Sequence, residues 1–294
     1  MIENFNESTT AVESSFPRFI GVSSVKVVAI NPNNAKLRSL GWNIPDDVSE
    51  PEYTSVNDKG EKQARIRIMV QALDHPSEPI IPVDFWVRPE LQLSSEKPGE
   101  ERKCKVIDSY GRTAWVTKEQ MKAHAIPEYS NGPANIAPDY KPCHRGEESL
   151  VLFVMKYLNM SPYEIFVNGG WQKADKPGRF TIDNWDALCN GNIKEIAEAI
   201  ALKPDNRCKI IFGVKKTDDN KTFQTFYPNM FLYNGARCNI EGNYAQAQRE
   251  LDRYYKNGGS NNVYDANAIH EYKEQATEVK ESSQFDDDLP FFNS

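Results

Sequence analysis

Ala64-Arg-Ile-Arg-Ile-Met-Val-Gln-Ala-Leu73 and Ile80-Ile-Pro-Val-Asp-Phe-Trp-Val87 are the two stretches that decide the fold class of this chain. In the first, Arg65 and Arg67 alternate with isoleucines, and a period of two is typical of a strand with one buried face. The turn formers of Asp74-His-Pro-Ser-Glu-Pro79 lie between the two stretches and predict an antiparallel hairpin. We expect the isoleucines to face a core and the arginines to face outward.

Two more hairpins and one long strand extend this antiparallel pattern. Lys103–Ile107 and Thr113–Thr117 flank a glycine-containing turn, and Arg18–Ile30 is a β-branched run that we interpret as a strand. Arg207–Val214 and Thr222–Tyr233 flank a polar turn in the same way. All-antiparallel pairing is therefore the expected sheet type.

Apolar residues at helical spacing predict helices over Glu147–Met160, Asn192–Leu202 and Tyr244–Lys256. Strands on both sides of these helices indicate one α+β domain over residues 18–257. Residues 1–17 are rich in Asn, Glu, Ser and Thr and are expected to be a flexible acidic arm. Residues 258–294 are expected to be a disordered linker followed by an acidic tail.

The composition of the 294 residues describes a polar chain, with 39% hydrophobic residues and a mean hydropathy of -0.64. Its longest apolar run, Leu150–Met155, is far too short to span a bilayer, so no membrane partner is expected. The segment Met1–Glu13 carries acids and no basic residue, which is unlike a secretory signal. Five widely spaced cysteines favour free thiols in a reducing cytoplasm.

The net charge of -7 is unevenly distributed along the chain. Residues 271–294 carry -5 and residues 1–17 carry -3, so the remainder is close to neutral, at about +1. A neutral domain can still present a basic groove, and an acidic tail can compete with nucleic acid for that groove.

Basic residues interleaved with aromatic residues on the three hairpins indicate binding of single-stranded nucleic acid. Such binding needs cations along the backbone path and flat rings on which bases stack. The candidate residues are Arg65, Arg67, Trp86, Lys105, Arg112, Trp115, Arg207, Lys209, Lys215, Lys216, Phe223, Phe226 and Tyr227.

The carboxy-terminal stretch Ser283-Gln-Phe-Asp-Asp-Asp-Leu-Pro-Phe-Phe-Asn-Ser294 places an apolar tip after three acids. The residues upstream of it are mostly Glu, Lys, Ser and Thr, and such a composition buries too little surface to fold. An apolar tip on an acidic arm is suited to a pocket on another protein that is surrounded by basic residues. The predicted partner-binding residues are Asp286, Asp287, Asp288, Leu289, Pro290, Phe291 and Phe292.

This tip resembles the carboxy-terminal end of bacterial single-stranded DNA-binding proteins and of several phage analogues, which end in Asp-Asp-Asp-(Ile or Leu)-Pro-Phe. The match covers Asp286–Phe291, six of 294 residues. In the bacterial family the Phe carries the terminal carboxylate, whereas Phe292, Asn293 and Ser294 follow here. A pocket that grips a terminal carboxylate would find it displaced, so the bacterial partners do not carry over directly.

A second resemblance covers residues 60–170. Val106-Ile-Asp-Ser-Tyr-Gly-Arg-Thr-Ala-Trp115, Asn131-Gly-Pro-Ala-Asn-Ile136 and Arg145-Gly-Glu-Glu-Ser-Leu150 are similar to segments of single-strand binders of large Bacteroides phages. The resemblance implies a phage replication protein that acts in the cytoplasm of the host bacterium. It also implies an OB-fold core. We accordingly interpret the domain as an OB-like five-stranded antiparallel β-barrel with a long loop and helix insertion at about 88–203, since such a barrel suits strands on either side of helices.

The expected function is therefore non-catalytic, sequence-tolerant binding of single-stranded DNA in phage replication, recombination or repair, with the tail recruiting replication proteins. No cofactor is expected, and a homo-oligomer is left open. One alternative is an interaction or virion-packaged protein that does not bind DNA. A second is a metal-dependent nuclease or recombination enzyme, with Asp183 and Asp186 as metal ligands. The position of Asp183 before a short predicted helix favours a role as its N-cap instead.

A zinc site is a further open question, because some phage single-strand binders carry one. Cys143 and His144 are adjacent, while Cys104 and Cys189 lie far from them in the sequence. The usual spacing of paired zinc ligands is missing.

Overall fold

The structure is a computed structural model that describes residues 16–56, 60–108, 112–123, 136, 138–160, 164–167, 170–173, 180–216, 222–226, 231–233 and 268–272. For residues 164–167, 170–173, 215–216 and 232–233 it describes the backbone alone.

The described residues form a mixed α+β fold with antiparallel sheets and short helices. The strands are β1 (Arg18–Ile30), β2 (Thr54–Val56), β3 (Lys62–Ala72), β4 (Ile80–Val87), β5 (Cys104–Ile107), β6 (Thr113–Val116), β7 (Lys141–Pro142), β8 (Glu164–Val167), β9 (Gly170–Lys173), β10 (Cys208–Lys216), β11 (Thr222–Phe226), β12 (Leu232–Tyr233) and β13 (Ile269–Tyr272). The helices are α1 (Asn34–Ser39), α2 (Lys118–Lys122), α3 (Glu147–Tyr157), α4 (Trp185–Cys189) and α5 (Lys194–Ala201).

The main sheet runs β11-β10-β1-β3-β4, and every pairing in it is antiparallel. Val25 of β1 pairs with Cys208 on one side and with Ala72 on the other, so β1 is a central strand. Shorter strands fill the remaining ladder positions. β13 pairs with β1 beyond the end of β3, and β2 pairs with β3 beyond the end of β1.

The main sheet curls so that its two outermost strands, β4 and β11, approach each other. Phe85 of β4 contacts Phe226 of β11, with ring centroids 5.2 Å apart, and Phe231 lies 6.0 Å from Phe85. Within the ranges that the structure describes, no ladder of hydrogen bonds joins β4 to β11, so the closed barrel that we expected is not found there.

Helix α3 follows the β5–β7 sheet along the chain and packs into the concave side of the main sheet. Leu150, Phe153, Val154 and Tyr157 are all fully buried in a core that includes the apolar faces of β3, β4 and β10. The hydroxyl of Tyr157 accepts a hydrogen bond from the backbone N–H of Val27 at 3.2 Å. This bond lies where β1 has a bulge, so the tyrosine satisfies an amide that the ladder does not.

A smaller apolar cluster covers part of the opposite side of the sheet. Leu37 of α1 and Ile44 pack there around Trp42, beneath which lies the fully buried Met69 of β3. Phe16 stacks on Trp42 with ring centroids 4.1 Å apart. The segment that follows β1 therefore folds back over the convex side of the sheet.

The prediction that order ends at residue 257 was wrong, because β13 pairs with the first four residues of β1. Gly21 makes this pairing possible, since it adopts a φ of +111° and has no side chain on the side where Ala268 approaches. A β-carbon at position 21 would lie 1.8 Å from the carbonyl oxygen of Ala268. The chain thus returns to the sheet after residues that lie outside the described part, which include the predicted helix Tyr244–Lys256.

The predicted insertion contains a second sheet, ordered β6-β5-β7. One face of its hairpin is buried in a small cluster of Val106, Ala114, Val116, Ile136 and Tyr140. Two isolated bridges, Leu91–His144 and Leu93–Cys104, connect this sheet to the chain that leaves β4.

No helix in the described ranges is both long enough and apolar enough to cross a membrane.

Candidate nucleic-acid interface

The convex side of the β3–β4 hairpin carries Arg65, Arg67, Asp84 and Trp86, with Tyr53 beside them, and we call this group the outer face. The prediction that the two arginines lie on the side away from the isoleucines is correct, since the isoleucines face the core. The prediction that they are exposed to solvent was wrong. Arg65 is 6% exposed and Arg67 is 2% exposed.

Arg67 is buried because it forms a bidentate ion pair with Asp84, its partner in the β3–β4 register. Its Nε donates to Asp84 Oδ1 at 2.8 Å, and its terminal nitrogen donates to Oδ2 at 2.6 Å. Burial raises the pKa of Asp84, but the charges of Arg67 and Arg65 and the hydrogen bonds from Arg67 outweigh it and hold that pKa below its usual value. The carboxylate is therefore ionised at neutral pH.

Arg65 lies between two aromatic rings on the outer face. Its guanidinium carbon is 5.5 Å from the ring centroid of Tyr53 and 5.9 Å from that of Trp86, which is cation–π range. The hydroxyl of Tyr53 donates to the carbonyl of Pro32 at 2.7 Å, which fixes that ring. Trp86 remains 37% exposed, so one side of its indole is held by the arginine while part of it faces solvent.

The candidate residues did not include Tyr53. It lies in a segment rich in Pro, Asp and Glu, where the sequence gives no strand periodicity, and only the short β2 places it beside Arg65. The signal in the sequence was a lone aromatic residue in an otherwise polar loop.

The β5–β6 hairpin brings Lys105 and Trp115 together as a cross-strand pair. The ammonium of Lys105 lies 5.6 Å from the Trp115 ring centroid and forms an ion pair with Glu148 of α3. Trp115 is 38% exposed. Arg112 pairs with Asp108 at 2.6 Å at the end of the same hairpin. The two basic residues therefore have carboxylate partners, and the exposed group of this hairpin is the indole.

The β10–β11 hairpin separates its candidate residues between two environments. Arg207 is exposed, and Lys209 is half-buried on the face opposite Cys208 and Ile210, which lie in the core. Phe223 is half-buried. Phe226 packs instead against the core, beside Phe85 and Phe231. Its position therefore does not support the prediction that its ring stacks with a base.

Several candidate residues lie outside the described residues or are described by their backbone alone. Lys215 and Lys216 belong to β10 through their backbone alone. Tyr227 and the whole tail tip, Asp286–Phe292, lie outside the described residues.

The cysteines considered for zinc are buried thiols. Burial chiefly raises the pKa of Cys143 to about 12, with Glu147 and Glu148 adding to the shift, so the thiol is protonated at neutral pH. His144 instead bonds Glu147 through Nδ1 at 3.0 Å and stacks on Trp185. Among the described residues, no three His, Cys, Asp or Glu side chains are grouped closely enough to hold a metal ion.

The short helix beside the two aspartates considered for a nuclease is α4, and its N-cap is Asn184 rather than Asp183. Asn184 accepts a hydrogen bond from the backbone N–H of Ala187 at 2.9 Å. The backbone amides of Asp183 and Asn184 in turn donate to the carboxylate of Glu195 on α5. These polar groups serve the packing of two helices.

Comparison of the chain with protein families, with curated proteins and with solved structures found no match.

Proposed function

We propose that this protein binds single-stranded DNA without catalysis and with little sequence preference, and that the outer face is the centre of its binding surface. The observation that carries this proposal is the exposed indole of Trp86, which is supported from one side by Arg65. A flat ring held in place by a cation is suited to stacking with any base, whatever its sequence.

The strand order supports an OB-like barrel as the scaffold. In chain order, β1, β3 and β4 form an antiparallel meander, α3 follows, and β10 and β11 return to the free side of β1. OB-folds are partly open Greek-key barrels of five strands, and they bind oligonucleotides on the face of their second and third strands. β3 and β4 occupy these two positions in the order.

Trp115 supplies a second exposed ring, and Arg207 and Lys209 supply basic groups at the far end of the sheet. We propose that a single strand contacts some of these groups as well as the outer face. Each stacked base contributes about 1–3 kcal/mol by alanine substitution, so stacking on Trp86 and Trp115 supplies part of the binding free energy and phosphate contacts with the basic groups supply the rest.

The remaining parts of the proposal concern partners and setting. We infer that the tail tip, Asp286–Phe292, recruits replication or recombination proteins, and that the protein acts in phage DNA replication, recombination or repair in the host bacterial cytoplasm. The acidic-apolar composition of the tip and its resemblance to the tips of single-strand binders support this part.

The testing experiment is fluorescence anisotropy of a labelled oligo-dT with the full-length protein across a salt series. We expect salt-sensitive binding, which Trp86→Ala weakens by about 1–3 kcal/mol, that is roughly 5–150-fold in Kd. Leu202→Ala is the matched control, because Leu202 is an apolar side chain that is 80% exposed on another element, and it should leave Kd unchanged.

The other outcomes identify the alternatives. Absence of binding even at low salt would favour an interaction or virion-packaged protein. Cleavage of the oligonucleotide that depends on added Mg²⁺ would favour the nuclease.

A further inference from the structure

The outer face combines two arginines with one carboxylate, and the carboxylate is the most accessible of the three charges. Counting Arg65, Arg67 and Asp84 gives this group a net charge of +1 at neutral pH. The side chain of Asp84 is 26% exposed, whereas those of Arg65 and Arg67 are 8% and 3% exposed. A phosphate that approaches the outer face therefore meets the negative group first.

We propose that Asp84 is a built-in competitor of nucleic-acid phosphate, so that the outer face binds a single strand more weakly than its arginines alone would. This inference rests on the function proposed above. It assigns Asp84 a regulatory role at that site, which is to limit the affinity and the salt dependence of binding.

The geometry of Asp84 supports this role. Both of its oxygens accept from Arg67, and Oδ2 also lies 4.0 Å from the terminal nitrogen of Arg65. These are the donor groups that a phosphate would use, because guanidinium binds carboxylate and phosphate in the same bidentate manner. Asp84 is also two residues from Trp86 on the same side of β4, so it lies beside the ring on which a base would stack.

Asp84 also has a structural role, which the test must separate from competition. An arginine buried as deeply as Arg67 needs a partner for its charge, and removal of that partner destabilises a fold. A purely structural Asp84 predicts that its neutralisation weakens DNA binding or leaves it unchanged. A competitor predicts the opposite direction.

The test is Asp84→Asn in the full-length protein, with anisotropy of labelled oligo-dT between low and moderate salt. The amide keeps an oxygen acceptor for Arg67 and removes the negative charge. We expect Kd at low salt to fall by about 3–10-fold, and the slope of log K against log salt to steepen by about 0.7, the value for one added phosphate contact on a single strand. Unchanged or weaker binding by the folded variant would overturn the inference.

Asp205→Asn is the charge-matched control, because Asp205 is 92% exposed and pairs with a surface lysine, Lys26, at 3.2 Å. It changes the net charge by the same one unit, so we expect a gain in affinity of less than about 2-fold, since the affected lysine pairs with Gln71 at the end of β3, four residues along the strand from Arg67. A gain equal to that of Asp84→Asn would overturn the assignment to the outer face.

If thermal unfolding shows that Asp84→Asn is not folded at the assay temperature, the double variant Arg67→Met/Asp84→Leu tests the competition by Asp84 instead. Replacement of a buried ion pair by apolar side chains commonly preserves a fold, and the net charge of the outer face stays at +1. Competition predicts a lower Kd than that of the unmodified protein, because Arg65 loses its carboxylate neighbour while the net charge of the outer face is unchanged. An unchanged or higher Kd in the folded double variant would overturn it. Absence of binding by the unmodified protein would instead refute the proposed function itself.

Discussion

At the scale of single residues, the pattern of alternation in β3 predicted which way each side chain points but not how deeply it lies. Arg65 and Arg67 do face away from the isoleucines. They are buried because each has a partner from another strand or loop. Arg67 pairs with Asp84, and Arg65 contacts Tyr53 and Trp86. Those partners depend on the tertiary register, which the local sequence does not contain.

Lys156 of α3 is a second residue whose degree of desolvation the local sequence does not predict. Burial chiefly lowers its pKa from the usual 10.5 to about 8, and the nearby Cys208 opposes that shift. Below pH 8 the folded protein therefore holds the charged ammonium of this half-buried lysine in a partly desolvated position, at a cost in stability. Between pH 8 and 10.5 the folded state releases this proton before the unfolded state does, so stability rises with pH in that window.

We expect Lys156→Met to raise the free energy of unfolding at pH 7 by about 1–3 kcal/mol, because a shift of one unit corresponds to about 1.4 kcal/mol. The gain should shrink as the pH rises from 8 to 10, where the unmodified lysine is neutral in the folded state. Chemical denaturation at several pH values measures this, with the 73% exposed Lys194→Met as control. A gain that is constant with pH, or a loss at pH 7, would contradict the assignment.

At the scale of elements, the sequence predicted the long strands well. β1 and β4 begin and end at the predicted residues, because β-branched runs bounded by turn formers determine a strand locally. It failed for β2, β7 and β13, which are two to four residues long. Strands this short exist because a longer strand offers them a free edge, and that edge is a property of the assembled sheet.

Gly21 provides a direct test of β13, since the pairing requires the missing β-carbon. We expect Gly21→Ala to displace Ala268 and to abolish protection of the amides of 269–272 in hydrogen–deuterium exchange. Backbone strain at positive φ should also lower the free energy of unfolding by about 1–3 kcal/mol.

Gly41→Ala is the control for strain alone, because Gly41 has a φ of +86° and open space where a β-carbon would lie. It should lower stability while residues 269–272 stay protected. Equal loss of protection in both variants would mean that β13 depends on global stability rather than on the close approach at Gly21.

At the scale of the whole molecule, the strand order and the curl of the sheet follow from pairings between distant parts of the chain. Local patterns indicated the α+β class and the antiparallel hairpins, but not that β4 and β11 approach each other through Phe85 and Phe226. The contacts of the binding surface also depend on such distant pairings, so local patterns did not predict them. Its arginines and Trp86 were in the candidate set, but Tyr53 and Asp84 were not, and the ion pairs that engage Lys105, Arg112 and Arg67 were not foreseeable from spacing.

The position of β13 determines where the acidic tail is attached, and so how it can act on the binding surface. Thirteen residues separate Tyr272 from Asp286, and their composition predicts a coil, which at that length has an r.m.s. span of about 20 Å. A tip tethered this closely to β1 has a high effective concentration near the sheet. We therefore expect it to compete with DNA for basic groups of the domain.

Replacement of Asp286, Asp287 and Asp288 by Asn should lower Kd for oligo-dT severalfold at low salt, and the gain should vanish at high salt, where exposed charges are screened. The matched control replaces Glu274, Glu278 and Glu281 of the linker by Gln, which changes the net charge equally. A larger gain from the tip than from the linker identifies the tip as the competing segment. Equal gains would instead assign the effect to the total charge of the tail, and no gain from either variant would exclude competition by the tail.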